Sequence, residues 1–301
     1  MRRKLLGLLA GVAALALGAG SAPAGAEEAA AARVVSLGGD LTEIAFALGA
    51  GGSIVAADDT ATWPEAAAEL PKVGYVRRFS PEGVLGLTPD LVIAAHDAGP
   101  ELALERLRSA GLEVKVAPDG EGWDSVAPKI AFVGEALKRP AEAEALIEET
   151  TTHMAAVQAV LEKTDERPGV IFIMSDQRGS PMAAGRGTAA DAVIALAGGR
   201  NVITEYEGYK PLSRESAAAI APDVVLVPNH VLASMGGIEG VKARPEFAAS
   251  PAAREDRILA MDAMKLLGFG PRTPEAVEEL ATALHPELAP ELARALAAAA
   301  P

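Results

Sequence analysis

AEAEALIEETTTHMAAVQAVLEK, residues 141–163, decides how the rest of the chain is divided. These 23 residues are rich in Ala, Glu and Leu and contain neither Gly nor Pro, so they form one uninterrupted helix. At 1.5 Å per residue that helix is about 34 Å long, enough to cross from one domain to another. Arg139-Pro140 precedes it, and DERPG at residues 165–169 ends it.

Outward from that helix, both flanks alternate between strand and helix patterns. On the N-terminal side, VVSLGGDLTEIAFALGAGGSIVAAD reads as a strand, a Gly-Gly turn, a helix opened near Asp40 or Thr42, and a second strand, which is a βαβ unit. Ser80-Pro81-Glu82 opens a short helix, with serine as N-cap and proline at the first helical position. LVIAA (91–95), a helix over 100–110, LEVKVA (112–117) and a helix over 124–138 follow. On the C-terminal side, VIFIMS (170–175) is a strand followed by a loop, DQRGSPMAAGRG, and a helix from Thr188. NVIT, the turn EYEGYKPLSRE, a helix, DVVLVP (223–228), a loop carrying His230, a helix near Glu239, RILAMD and a final helix from Thr273 complete the chain. The expected class is α/β: two Rossmann-like lobes with central, mostly parallel sheets, joined by one long helix around a ligand cleft. The expected divisions are a signal peptide at 1–26, an N-terminal lobe at 27–139, the bridging helix at 140–167 and a C-terminal lobe at 168–301.

Residues 1–26 begin with Arg2, Arg3 and Lys4, continue through an apolar run and end in Ala24-Gly25-Ala26, which is the pattern of a secretory signal peptide. Export to a periplasm is therefore expected. There is no cysteine, which excludes disulfides, thiolate metal sites and a lipid anchor at the cleavage point. Without the three leader cations, 24 basic residues face 41 acidic ones, a formal charge of −17. That balance argues against nucleic acid, whose binding needs cations to neutralise phosphates, and means that an anionic ligand would need local cations.

Such cations occur in VGYVRRFSPE, residues 73–82, where Tyr75 precedes Arg77 and Arg78. Nearby cations favour a phenolate; a tyrosinate is a recognised axial ligand of haem iron, and guanidinium groups match carboxylates such as haem propionates. The plainer alternative is a loop tyrosine packed on its neighbours beside solvated arginines. The two flanks also repeat weakly. GYVRRFSPEGVLGLTPDLVIA resembles GYKPLSRESAAAIAPDVVLVP, so each lobe places a Gly-Tyr turn before a glutamate on a short helix: Tyr75 with Glu82, and Tyr209 with Glu215. First-turn charges that complement a helix dipole also account for such glutamates.

Of the four histidines, His153 and His285 are expected at the surface, whereas His96 and His230 follow strand ends at matching places in the two lobes, where open α/β sheets bind ligands. A buried or rim histidine is the competing reading for both. No HExxH, GxxxxGK[ST] or GxSxG pattern is present, which argues against a zinc-enzyme, P-loop or serine-hydrolase reading.

The arrangement resembles the class of ABC-transporter substrate-binding proteins in which one long helix bridges two α/β lobes, the class that carries cobalamin, ferric siderophores and haem. Within it, VGYVRRFSPEGVLGL, PMAAGRGTAADAVIALAGG, GYKPLSRE and MKLLGFGPRTPEA look most like periplasmic haem-binding proteins of bacterial haem-uptake systems. The resemblance implies a non-enzymatic carrier of ferric haem, with Tyr75 as axial ligand and Arg77 and Arg78 on the phenolate or propionates. It implies that Glu82 and Glu215 dock on an inner-membrane ABC permease, which works with its ATPase, and that an outer-membrane haem receptor system lies upstream. Arg178, Met182, Tyr209 and His230 are candidate pocket residues, and a monomer is the family expectation. Some relatives offer a second-lobe histidine from the loop after its first strand; here that loop, residues 176–181, has none. Within the class, a ferric siderophore or cobalamin is the alternative cargo.

Overall fold

The computed structural model describes residues 32–120, 122–177, 180–212 and 220–299. The leader expected at 1–26, Arg178 and Glu215 lie outside the described residues.

Short, continuously apolar runs make the central strands. In the N-terminal half, β1 (Val34–Leu37) and β2 (Ile54–Ala57) are followed by a small hairpin, β3 (Gly74–Tyr75) and β4 (Arg78–Phe79), and then by β5 (Leu91–Ala94) and β6 (Glu113–Val116). The four longer strands form a parallel sheet in the order β2-β1-β5-β6. Every residue of β1 and β5 is buried, as expected for parallel strands covered on both faces. At the edge, β6 has exposed Glu113 and Val116 at its ends and partly buried Val114 and Lys115 between them, and edge charges of this kind discourage further strand pairing.

The C-terminal half contains β7 (Gly169–Gln177), β8 (Ser180–Ala184), β9 (Arg200–Asn201), β10 (Tyr209–Pro211), β11 (Val224–Pro228) and β12 (Ile258–Met261). They order as β10-β8-β7-β11-β12, with β9 also on β7. Here the structure corrects two expectations. What reads as a loop after residue 175 is mostly strand: β7 runs on to Gln177 and β8 returns antiparallel, pairing Ser175 with Met182 and Gln177 with Ser180. The turn containing Tyr209 likewise holds a strand, β10, antiparallel to β8. The sheet is therefore mixed. Arg244 helps fix the extended β7 by donating to both carboxylate oxygens of Asp176, at 2.9 and 3.2 Å.

Between the sheets runs the helix Pro140–Leu161, 22 residues and about 33 Å long. Ala143, Thr150, Met154, Val157, Val160 and Leu161 make its buried stripe. It packs on the helices Val126–Ala136, Thr273–Leu284 and Ala289–Ala299, and one continuous apolar cluster extends from Ile44 and Val133 through it to Phe172 and Leu280. His153 on this helix is half-buried and bonds Glu278 at 3.0 Å. His285, expected at the surface, is fully buried: its Nε2 donates to the Gly198 carbonyl at 3.2 Å. The helix Thr273–Leu284 ends at His285, and the helix Ala289–Ala299 follows. No described helix is long and apolar enough to cross a membrane.

A second connection between the halves is polar. Lys129, with its side chain 7% exposed, donates to Asp40 at 2.8 Å and to the Gly268 carbonyl at 3.1 Å. Arg272 reaches Glu43 with its guanidinium at 2.6 Å and its backbone N–H at 3.3 Å, and lies 4.8 Å over the Trp63 ring. Residues 40–63 are thereby clasped to residues 268–272. Burial raises the Glu43 carboxyl above its ordinary value of 4.5, with Arg272 pulling it back. A buried pair is costly to break on one side only, because the remaining charge is left without compensation. Arg272→Met is therefore expected to lose about 3–5 kcal/mol in denaturant unfolding, and Glu43→Leu/Arg272→Met to recover most of that loss. Because its proton is held more tightly in the folded state, Glu43 contributes stability that is present below 4.5 and is lost as pH rises from 4.5 through its raised folded value. The stability of Glu43→Gln relative to the wild type should accordingly rise over the same interval.

Candidate functional site

All four parallel strands of the first sheet deliver their C-terminal ends to one cavity, of about 580 Å³. Gly38 follows β1, Thr60 lies beyond β2, Ala95–Asp97 follow β5, and Ala117 follows β6; each lines it. This is where open α/β sheets place ligands. The opposite wall comes from the C-terminal half: Met174 on β7, the start of the helix Ala189–Leu196, Tyr209 on β10, and the segment from Ala263 to Phe269. Lys129 and Asp40 of the clasp lie at its edge.

Its first wall is built by a buried carboxylate. Asp58 accepts from Gly38 N at 2.8 Å, Thr60 N at 2.9 Å and Thr60 Oγ1 at 2.7 Å, while Gly39 N donates to Thr60 Oγ1 at 2.9 Å. Burial raises its pKa and these hydrogen bonds oppose the rise. Lys72 holds the same loop by donating to the Ala61 and Ala67 carbonyls at 2.7 and 2.9 Å. The helix Gly39–Ala47 can therefore approach Thr60 only through glycine: a Cβ on Gly39 would meet the Thr60 carbonyl oxygen at 2.4 Å.

Tyr75 stands at the tip of the β3–β4 hairpin, 41% exposed, and lines the cavity. Gly74 before it has φ +102°, a conformation that favours glycine, and Val76 anchors the turn in the apolar cluster beneath. Arg77 also lines the cavity; its Nε donates to Asp97 at 2.7 Å and its terminal nitrogen lies 2.5 Å from the same carboxylate. Gly99 N donates to Val76 O at 3.0 Å, so the hairpin tip and the loop after β5 form one wall.

The structure brings together Tyr75, Arg77, His96 and, from the other wall, Tyr209. Arg78, Met182 and His230 do not line this cavity. Arg78 is exposed on β4 opposite Tyr75, and Met182 lies in β8. His230 is exposed on the helix Asn229–Ser234, where a loop was expected. Glu82 lies outside the cavity, exposed in the first turn of a helix whose N-cap Ser80 accepts from Gly83 N at 3.0 Å, and Arg106 approaches it at 3.5 Å. Sequence reading missed Asp40, Lys129, Glu43, Arg272 and the support from Asp97. Lysine inside the apolar helix VAPKIAFV was the available signal, since a lysine on a buried face needs a partner. No cluster of three or more His, Asp and Glu suited to a bare metal ion occurs among the described residues.

The chain belongs to the periplasmic binding protein family, whose pattern matches residues 34–264. A vitamin B12-binding protein of Vibrio cholerae (El Tor Inaba N16961) is 26% identical over 255 residues, which is 84% of this chain and 89% of that protein. YvrC of Bacillus subtilis (strain 168), an ABC transporter substrate-binding lipoprotein, is 26% identical over 85% of this chain and 80% of its own. Among solved structures, the periplasmic heme-binding protein RhuT from Roseiflexus sp. RS-1 in apo form is 40% identical, with a TM-score of 0.82 over 85% of this chain and 98% of that one. The periplasmic heme-binding protein BhuT in complex with two hemes is 41% identical, with a TM-score of 0.78 over 88% and 99%. The chain is thus a substrate-binding protein of the class with haem- and vitamin B12-binding members, and not an enzyme.

Gly39→Ala is expected to destabilise the fold by about 1–3 kcal/mol through overpacking against Thr60, measured by denaturant unfolding.

Proposed function

We propose that the protein captures ferric haem in the cavity between its lobes and delivers it to an inner-membrane ABC importer from the periplasm. The observation that carries this reading is the placement of the Tyr75 phenol on a hairpin tip in the cavity wall, beside Arg77. Similarity at 40% identity to a periplasmic heme-binding protein supports it. Ferric iron accepts a tyrosinate as axial ligand, so binding exchanges the phenol proton for an Fe–O bond. Apolar contacts from Val76, Ala95, Met174 and Phe269 suit the porphyrin face. Arg77 would meet a propionate, which would share or displace Asp97. The reading treats residues 27–139 and 168–301 as the two lobes and the intervening helix as the bridge.

Delivery in this reading uses Glu82 and Glu215, one on each lobe, as docking contacts for permease cations, with the permease's ATPase driving import. The expected upstream source is an outer-membrane haem receptor system, and the carrier is expected to act as a monomer. Cobalamin is the second reading, favoured by the vitamin B12-binding relatives at 26% identity. Cobalamin needs no tyrosinate, and neither does a ferric siderophore, whose iron is already saturated.

Tyr75→Ala tests the site. Hemin titrated into the wild type should give a saturable Soret shift and a phenolate-to-iron charge-transfer band, and the variant should lack that band. Because Tyr75 is partly exposed, its removal should change folding stability by no more than about 0.5 kcal/mol. An unchanged hemin spectrum in the variant would remove Tyr75 from the site. Glu82→Ala should bind hemin as the wild type does, yet support slower import by vesicles carrying the permease; equal import rates would contradict the docking role.

A further inference from the structure

The cavity wall carries an imidazole that the haem reading does not use. His96, at the C-terminal end of β5, lines the cavity with its side chain 35% exposed, and Asp119 Oδ1 stands 3.0 Å from its Nε2. Among the described residues the ring has no other polar partner. A carboxylate beside one ring nitrogen favours the proton there and leaves the other nitrogen with its lone pair; metal-binding histidines almost always have such a carboxylate, carbonyl or water on the nitrogen away from the metal. His96 and Asp119 come from loops after adjacent strands, β5 and β6, and the Asp119 carboxylate is largely exposed.

The position relative to Tyr75 is fixed by the same wall. Asp97, next in sequence to His96, holds Arg77, and Gly99 N bonds Val76 O, which ties the loop after β5 to the hairpin tip. Tyr75 and His96 therefore stand on one wall of the cavity.

We infer that His96 is a second iron ligand of this cavity, an alternative to Tyr75 that takes the iron through Nδ1 while Asp119 holds Nε2–H. The inference rests on the haem reading and deepens it. Nδ1 donates its lone pair to the iron and no proton is released, whereas binding to Tyr75 releases the phenol proton. The wall therefore offers the iron two protein donors of different chemistry, a phenolate and an imidazole.

The test titrates hemin into the wild type, Tyr75→Ala, Tyr75→Phe, Tyr75→Ala/His96→Gln and Tyr75→Ala/Asp119→Asn, with absorbance and electron paramagnetic resonance spectra recorded and each melting curve compared with the wild type. Both single Tyr75 variants should bind hemin with an imidazole-ligated spectrum. Tyr75→Ala/His96→Gln should lose that spectrum and bind at least about tenfold more weakly, and the Asp119→Asn background should weaken binding by about 10–100-fold, the usual effect of removing such an outer partner. If Tyr75→Ala and Tyr75→Ala/His96→Gln give the same spectrum and affinity, His96 is no ligand, while the haem reading stands on the wild-type titration. Absence of hemin binding by the wild type would instead overturn the haem reading and this inference together.

Discussion

Lys129 donates to Asp40 on one side and to the Gly268 carbonyl on the other, from a position where only 7% of its side chain meets solvent. Removing an ammonium group from water is costly, and a buried pair offsets that cost only when its geometry and remaining hydrogen bonds are good. The Lys129 contacts meet that condition, and Glu43 with Arg272 adds a second pair a turn further along the same helix. Together with the bridging helix they attach the two halves at two separate places. Attachment at two places favours small displacements of packed elements over hinge opening around one flexible connection.

That constraint gives the cavity its preformed character. Its first wall is assembled from four strand ends whose loops are cross-bonded by Asp58, Lys72 and Asp97, so little ordering remains for binding to accomplish. Preorganisation of this kind strengthens binding by lowering its entropic cost. The hairpin bearing Tyr75 is the lightest part of the wall, only two residues per strand, and is held by Val76 and by Asp97.

Much of this was legible in the sequence. The bridging helix announces itself by 23 residues without Gly or Pro, and β1, β5 and β11 by continuous apolar runs. Tyr75, Arg77 and His96 were visible as a charged turn and a strand-end histidine. The hairpin of β7 and β8 was not, because Arg178-Gly179 and Pro181 read as loop while the pairing of β8 with β10 depends on residues some 27 positions apart. The clasp was illegible for a similar reason: Asp40 and Lys129 are 89 residues apart and Glu43 and Arg272 are 229 apart, and sequence carries no signal for which distant charges meet. His285 was misplaced because a histidine in the C-terminal helix region reads as a surface residue, whereas its ring is buried against the Gly198 carbonyl.

The central claim is that the cavity takes a haem iron through a protein ligand rather than a tetrapyrrole that arrives with its metal already ligated. Calorimetric titration of the same preparation with hemin and with aquocobalamin addresses it most directly. Saturable heat with hemin and none with aquocobalamin at equal concentration is the predicted result. Saturable binding of aquocobalamin with none of hemin would contradict it.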